Sequence, residues 1–300
     1  MRKSQRSSLR PTRVTRALLR KWSLPAPGED DDKEARGRVL IVGGSNEIPG
    51  AVVLAGIAAL RAGAGKLQIA STHTVAPLIG VSVPEAMSIG LDETDGGAIR
   101  RQSLAKILEH ANRTHATLIG PGMTDEKETA RLVTMFLDRV NGPALVVDAG
   151  ALVGMAESAA SLHRFAGNVV LTPHSGEMAA MMGKEKKQVD ADPAATALEA
   201  ACVFHSVVAL KGTSTLIATP AGQVYRYDGG DVGLATSGSG DTLAGIVAGL
   251  LARGASPLHS AAWAVFLHGA AGNVLAKKMG RTGFLARELL DEIPAIMNRL

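Results

Sequence analysis

The stretch GLATSGSGDTLAGIVAGLLARG, residues 233 to 254, sets a run of the smallest side chains before one acid, Asp241, with a long apolar segment of helical length behind it. Glycine costs backbone entropy and offers no packing, so Gly238, Ser239, Gly240 and Asp241 in succession require a use. Two uses are open. In one, Asp241 caps the helix, accepting amide hydrogen bonds and complementing the dipole. In the other, the free amides of the first turn cradle an anion while Asp241 takes a proton from a substrate hydroxyl. That second chemistry is phosphoryl transfer, in which positioning and charge neutralisation supply most of the rate. The Gly-x-Gly-Asp string is short enough to recur by chance, so its context has to decide.

Two other stretches add chemistry. KGTST places Lys211, Gly212, Thr213, Ser214 and Thr215 after an apolar run, either as a phosphate cradle or as a surface β-turn. TPHSGE, residues 172 to 177, reads as a turn and N-cap leading into EMAAMMG, with Glu177 in the first helical turn. His174 in that turn is a ligand donor or a solvated loop residue. Familiar signatures are absent. RAGAGK has Leu60 where a P-loop needs glycine, and the first strand is followed by GGSNEIPG rather than G-x-G-x-x-G. There is no G-x-S-x-G elbow, and the histidines and single cysteine offer no metal-ligand spacing. Cys202, within ALEAACVFHSVVAL, falls where helical spacing would bury it and reads as core rather than nucleophile.

Positioning these residues requires a scaffold, and from residue 38 short β-branched runs alternate with Ala/Leu/Gly-rich segments of helical length. RVLIV, KLQIAS, ATLI, PALVV, NVVL and SVVAL read as strands, and GAVVLAGIAALRAGAG, residues 50 to 65, as the first helix between them. Apolar strands without alternation have both faces covered, as in a parallel sheet between helical layers. In such sheets the ligand crevice lies at the carboxyl ends of the strands. GGSNEIPGA, GPGM, DAG, TPHSGE and KGTST each follow a strand run and would meet there. After residue 241 the pattern is all helical. No long linker interrupts it, so residues 38–300 are expected to form one domain behind a lead-in, residues 1–37.

Composition narrows the function. Hydrophobic residues make up 46% of the 300, enough for a substantial core. The net charge of +4 is not evenly spread: residues 1–37 carry ten Lys/Arg against five Asp/Glu, leaving the remainder slightly acidic. A nucleic-acid partner therefore loses its main support. No apolar run reaches the length of a membrane span. RVTRALLRKW has the Arg-rich amphipathic look of a transit peptide, but PAPGEDDDKEARGR follows it with acids that a cleaved leader avoids. The expectation is a short lead-in helix packed on the body or on a neighbouring subunit, in a cytoplasmic protein.

In chain order, VGGSNEIPGAVVLAGIAALRAGAGKLQIA, IGPGM, VVDAGAL, LTPHSGE, LKGTST and GLATSGSGDTLAGIVAGLLA resemble the ADP- or ATP-dependent NAD(P)H-hydrate dehydratases of the ribokinase-like superfamily. The resemblance implies an α/β fold of three layers, with a mostly parallel central sheet flanked by helices. It implies repair of hydrated NADH and NADPH: a nucleotide phosphorylates the added hydroxyl, and phosphate is then eliminated. By the same resemblance Ala51, Gly122 and His174 contact the hydrated dinucleotide. Lys211 to Thr215 hold the adenine nucleotide, Gly240 its phosphates, and Asp241 meets the substrate hydroxyl as base. Mg²⁺ is the implied companion, held mainly by phosphate oxygens and water. ADP is the implied donor, with ATP the alternative; the apolar Ala-rich helices and the basic lead-in are compatible with a homo-oligomer. Many relatives carry a fused epimerase, for which 300 residues leave no room, so a separate NAD(P)H-hydrate epimerase is the expected functional partner.

The chain departs from the family pattern in three places. Ser237 and Ser239 stand for the usual Gly and Thr of Gly-Gly-Thr-Gly-Asp, Ser175 for Pro, and Asp231 with Val232 for an Asn-Gly pair. A carboxylate at 231 would repel phosphate unless a cation compensates it. Two other functions share the Gly-x-Gly-Asp string: a kinase of a vitamin-precursor alcohol, and a nucleotide-binding sensor without catalysis.

Overall fold

The computed structural model describes residues 10–26, 28 and 34–300; the acidic run at 29–32 lies outside them. Among the described residues ten strands form one sheet: β1 (Thr12–Arg13), β2 (Arg38–Val42), β3 (Lys66–Thr72), β4 (Ala86–Leu91), β5 (Ala116–Ile119), β6 (Ala144–Val147), β7 (Val169–Leu171), β8 (Val207–Leu210), β9 (Thr215–Ala218) and β10 (Val224–Tyr227). Their spatial order is β1-β10-β9-β8-β7-β6-β5-β2-β3-β4. From β4 through β8 every pairing is parallel, and β9 runs antiparallel to both neighbours.

The helices are α1 (Arg16–Lys21), α2 (Gly50–Arg61), α3 (Ala76–Ser82), α4 (Leu104–Ala111), α5 (Glu126–Arg139), α6 (Ala159–His163), α7 (Ser175–Met182), α8 (Lys186–Ala191), α9 (Pro193–Val203), α10 (Ser239–Ala252), α11 (Pro257–Met279) and α12 (Ala286–Met297). They cover both faces of the sheet. Val39 and Ile41 of β2 point into a core shared with α2, α3, α10, α11 and α12, while Leu40 and Val42 point into a second core with α4, α5, α7 and α9. Alternate side chains thus serve opposite layers, and this is why the strand runs are apolar throughout.

Close packing fixes α10 against α2. A Cβ added at Gly245 would collide with the carbonyl of Ala55, and one at Gly249 with that of Ala59. The two backbones touch, so the start of α10 is held at a set height above the sheet.

The lead-in is joined to this body. β1 extends the sheet by pairing with β10, Leu19 of α1 is fully buried, and the carbonyl of Trp22 accepts the Trp263 indole N–H at 2.7 Å. Cys202 departs from expectation, being exposed. The buried stripe of α9 runs through Thr196, Ala197, Ala200 and Ala201 to Phe204 just beyond it, and Cys202 falls on the solvent side of that stripe.

Candidate active site

The chain leaves β2 for β3 and β4 on one side and returns to β5 on the other, so the sheet has its switch point between β2 and β5. Gly43 and Gly44 follow β2, Gly120 to Gly122 follow β5, and the Gly44 N–H donates to the Pro121 carbonyl at 2.7 Å. Gly122 has φ +66°, and a Cβ there would lie 2.5 Å from the Ile48 carbonyl oxygen and 2.9 Å from the Ala51 Cβ. Only glycine suits that backbone and that gap. The structure therefore brings Ala51, at the start of α2, against Gly122. Beside them opens a cavity of about 540 Å³ lined by residues that include Glu47, Arg100, Thr124 and Asp125.

The next strand ends build a charged cluster. Asp148 follows β6 and is almost wholly buried; its Oδ1 accepts from Thr172 Oγ1 at 2.6 Å and from Lys211 Nζ at 2.9 Å. Lys211 follows β8, where its N–H donates to the Pro173 carbonyl at 2.8 Å and its backbone bridges His174. Its ammonium also lies 3.8 Å from Glu177 Oε2 and faces Gly240, where a Cβ would sit 3.5 Å from Nζ. A Cβ at 240 would meet the lysine at ordinary van der Waals distance. Burial presses the Lys211 ammonium toward neutrality, but Asp148, Glu177 and Asp241 outweigh it and raise its pKa above the usual value.

Asp241 completes the cluster from the first turn of α10. The N-cap of that helix is Gly238, left-handed at φ +84°, and no side chain caps it. Asp241 is therefore inside the helix, and among the described residues its carboxylate receives no hydrogen bond. The hydrogen-bonding part of the capping use is thus absent, while the charge still lies in the first turn, where it complements the helix dipole. Burial first, then the like charge of Asp148, push its pKa up to about 6; Glu177 adds to the rise and Lys211 opposes it. A carboxylate with that proton affinity, beside an ammonium and the positive end of a helix, suits a base acting on a hydroxyl during transfer of an anionic group. From behind, Ser239 Oγ lies 2.9 Å from His268 Nε2 on α11, a ring whose pKa burial chiefly lowers to about 4.

His174 is the N-cap of α7. Its Nδ1 accepts from the N–H groups of Gly176 and Glu177 at 3.0 and 3.1 Å, and Glu177 Oε2 accepts from the His174 N–H at 2.7 Å. With Nδ1 occupied as acceptor, Nε2 is the free donor, 3.4 Å from Glu177 Oε1 on a largely exposed ring. Ser175 occupies the first helical position, where proline is favoured, so the Pro-to-Ser departure leaves the capping geometry in place.

KGTST divides. Lys211 points into the cluster, while Gly212 and Thr213 are exposed in the turn joining β8 to β9. Ser214 Oγ accepts from Arg226 at 3.0 Å, and Thr215 opens β9. The carboxylate of Asp231 is compensated: its Oδ2 pairs with Arg281 at 3.1 Å, and its Oδ1 accepts the Gly233 N–H at 3.2 Å. Asp148, Thr172 and His268 are the residues that sequence reasoning missed. Asp148 had a signal, since DAG stands at a strand end; His268 lies amid an apolar helix and had none.

A model of the NAD(P)H-hydrate dehydratase family matches residues 39–295. The chain is 51% identical to an ADP-dependent (S)-NAD(P)H-hydrate dehydratase of Xanthomonas campestris, over 96% of each chain. It is 40% identical, over 95% of its own length and 54% of the relative's, to a bifunctional NAD(P)H-hydrate repair enzyme of Moorella thermoacetica. A Bacillus subtilis ADP/ATP-dependent NAD(P)H-hydrate dehydratase, co-crystallised with ATP and Mg²⁺, superposes with a TM-score of 0.79 at 30% identity, covering 97% of this chain and 99% of the other. The fold is accordingly ribokinase-like, as the motifs implied.

Proposed function

The chain belongs to the NAD(P)H-hydrate dehydratase family, and from that membership we propose that it is an ADP-dependent (S)-NAD(P)H-hydrate dehydratase. The observation that carries the proposal is Asp241: a half-buried, uncapped carboxylate of raised pKa facing Lys211 at the start of α10.

In this reading the hydrated nicotinamide ring enters at the switch point, against Ala51, Gly122 and His174, and the neighbouring cavity gives room for the rest of the dinucleotide. ADP lies along the turn from Lys211 to Thr215 with its phosphates on the Gly240 amide. Asp241 takes the proton of the ring hydroxyl as that oxygen attacks the terminal phosphorus of ADP; the P–O bond to AMP breaks and AMP departs. Lys211 offsets the charge on the phosphoryl oxygens. Loss of phosphate from the ring carbon, with a proton from its neighbour, then restores the dihydropyridine. ATP would react in the same way at its own terminal phosphorus, with ADP rather than AMP departing.

Among the described residues no three His, Cys, Asp or Glu side chains are grouped to hold a metal ion, and Lys211 already pairs with the carboxylates of the cluster. Magnesium in this reading arrives with the nucleotide, on phosphate oxygens and water, and supplies charge neutralisation. A dehydratase specific for the (S) hydrate leaves the other epimer untouched, so an epimerase activity is its functional partner, as the bifunctional relatives suggest. We place it in the cytoplasm; no helix among the described residues is long and apolar enough to cross a membrane. We also propose a homo-oligomer, for which exposed Leu78 and Val81 on α3 and Met87 on edge strand β4 offer an apolar contact.

The test incubates the purified chain with hydrated NADH, Mg²⁺ and either ADP or ATP and follows dihydronicotinamide absorbance. Recovery that depends on nucleotide, with phosphate released in step, is expected. A stable phosphorylated alcohol without recovery would make it a kinase.

A further inference from the structure

We propose that Asp148 is a positioning residue of this reaction: it fixes the Lys211 ammonium against the first turn of α10 and governs proton uptake by Asp241. The inference rests on the functional reading above for its kinetic part only. Asp148 touches neither of the proposed substrates in that reading and acts through Lys211.

One oxygen of Asp148 holds both neighbours. Thr172, itself fully buried, donates to Oδ1 at 2.6 Å and so fixes the carboxylate, which in turn takes Lys211 Nζ at 2.9 Å. The lysine main chain is fastened to Pro173, so the direction of its long side chain is left to the carboxylates. Of these, Asp148 is the nearer; Glu177 stands at 3.8 Å. The result is an ammonium aimed at Gly240, where the phosphoryl group is proposed to pass.

The same arrangement acts on Asp241. Three carboxylates, from the end of β6, from α7 and from α10, share the one ammonium at the end of β8; Asp148 is almost wholly buried, while Lys211 and Glu177 keep 20% of their side-chain surface exposed, so water screens the cluster only in part. A fifth titratable group packed there, His268 of α11, is neutral at pH 7 and adds no charge. Removing the charge of Asp148 removes a repulsion on Asp241 and leaves Lys211 more fully to it. Both changes favour the ionised form of Asp241, so they move its titration in one direction, downward.

The experiment uses the full chain, labelled with ¹³C at the aspartate carboxyls, and follows Asp241 by NMR across pH in wild type and Asp148→Asn, assigning its signal by loss in Asp241→Asn. The midpoint is expected to fall by roughly one pH unit, and the acid limb of kcat/KM to move with it. Asp148→Glu keeps the negative charge but displaces the ammonium; its Asp241 midpoint should show none of the fall seen in Asp148→Asn, while kcat falls by roughly 100-fold. An unmoved midpoint in folded Asp148→Asn, or wild-type kcat in Asp148→Glu, overturns the proposal. If Asp148→Asn does not fold, Asp148→Glu decides. Wild-type protein that restores no NADH with either nucleotide would instead sink the functional reading, and the NMR midpoints, which need no turnover, would still judge the role of Asp148.

Discussion

At Asp241 one carboxylate carries a functional and a thermodynamic prediction. Asp241→Asn should lower kcat by about 10²-fold or more while nucleotide still binds, measured by turnover and by calorimetric titration with ADP. In wild type the acid limb of kcat/KM should have its midpoint near pH 6, where the free carboxylate titrates. Stability should follow with a definite sign. The folded pKa, about 6, lies above the ordinary 3.8, so the native state gains stability as pH falls through 6 and carries the cost of a buried charge above it. Asp241→Asn should therefore be the more stable protein at pH 8, by on the order of 1 kcal/mol, with the difference in Tm vanishing near pH 4. Equal Tm at pH 8 would mean that water reaches the carboxylate freely. Asp241 was legible because small residues before an apolar helix are costly without a use. Asp148 and Thr172 were less so, since one aspartate and one threonine at strand ends acquire meaning only when β6 and β7 lie side by side.

At the scale of elements, the contact of α10 with α2 places the site. Gly245 and Gly249, one turn apart, let the helices meet backbone to backbone, and the collision partners are the Ala55 and Ala59 carbonyls, which no rotamer change can move. Gly245→Val should cost about 3 kcal/mol or more in urea unfolding and weaken ADP binding, because α10 carries the amides of Gly240 and Asp241. Gly50→Ala is the contrasting case. It lies in helix, and no atom stands within 4 Å of a Cβ there, so the change should stabilise by about 0.5–1 kcal/mol. Were both substitutions to cost the same, helix propensity rather than packing would govern these glycines. The parallel strands of the middle of the sheet were legible because burial on both faces makes them uniformly apolar. Strands β4, with exposed Met87, and β10, with exposed Arg226, lack that uniformity, and two-residue β1 carries no pattern at all. β4 takes its place beside the preceding strand β3, β10 by a hairpin with β9, and β1 by pairing with β10, far along the chain.

For the whole molecule the outermost surfaces decide assembly and cooperativity. If copies meet through α3 and β4, Leu78→Glu with Val81→Glu should shift the mass seen by light scattering to a smaller species, with secondary structure unchanged. An unchanged mass would remove that surface from the assembly. The lead-in makes a sharper case. Its composition changes abruptly before residue 38, yet Leu19 is fully enclosed, the Trp22 ring stacks on His259 at 4.6 Å and meets Tyr225 edge-on at 5.2 Å, and Arg253 donates to the Pro25 carbonyl at 2.8 Å. Sequence alone left open whether this amphipathic, basic helix met the body or a neighbour, because an apolar stripe does not name its partner. The chain contains two tryptophans, Trp22 and Trp263, and both sit at this joint, linked by a hydrogen bond. Intrinsic fluorescence therefore reports release of the lead-in, while far-ultraviolet circular dichroism reports the helices as a whole. If the lead-in belongs to the cooperative unit, the two signals should give one coincident thermal transition. Leu19→Ala, costing about 2–5 kcal/mol at a fully buried leucine, should lower both together. A fluorescence transition that precedes the loss of ellipticity would make the lead-in a separately melting appendage, and Leu19→Ala would then move the first transition and leave the second in place.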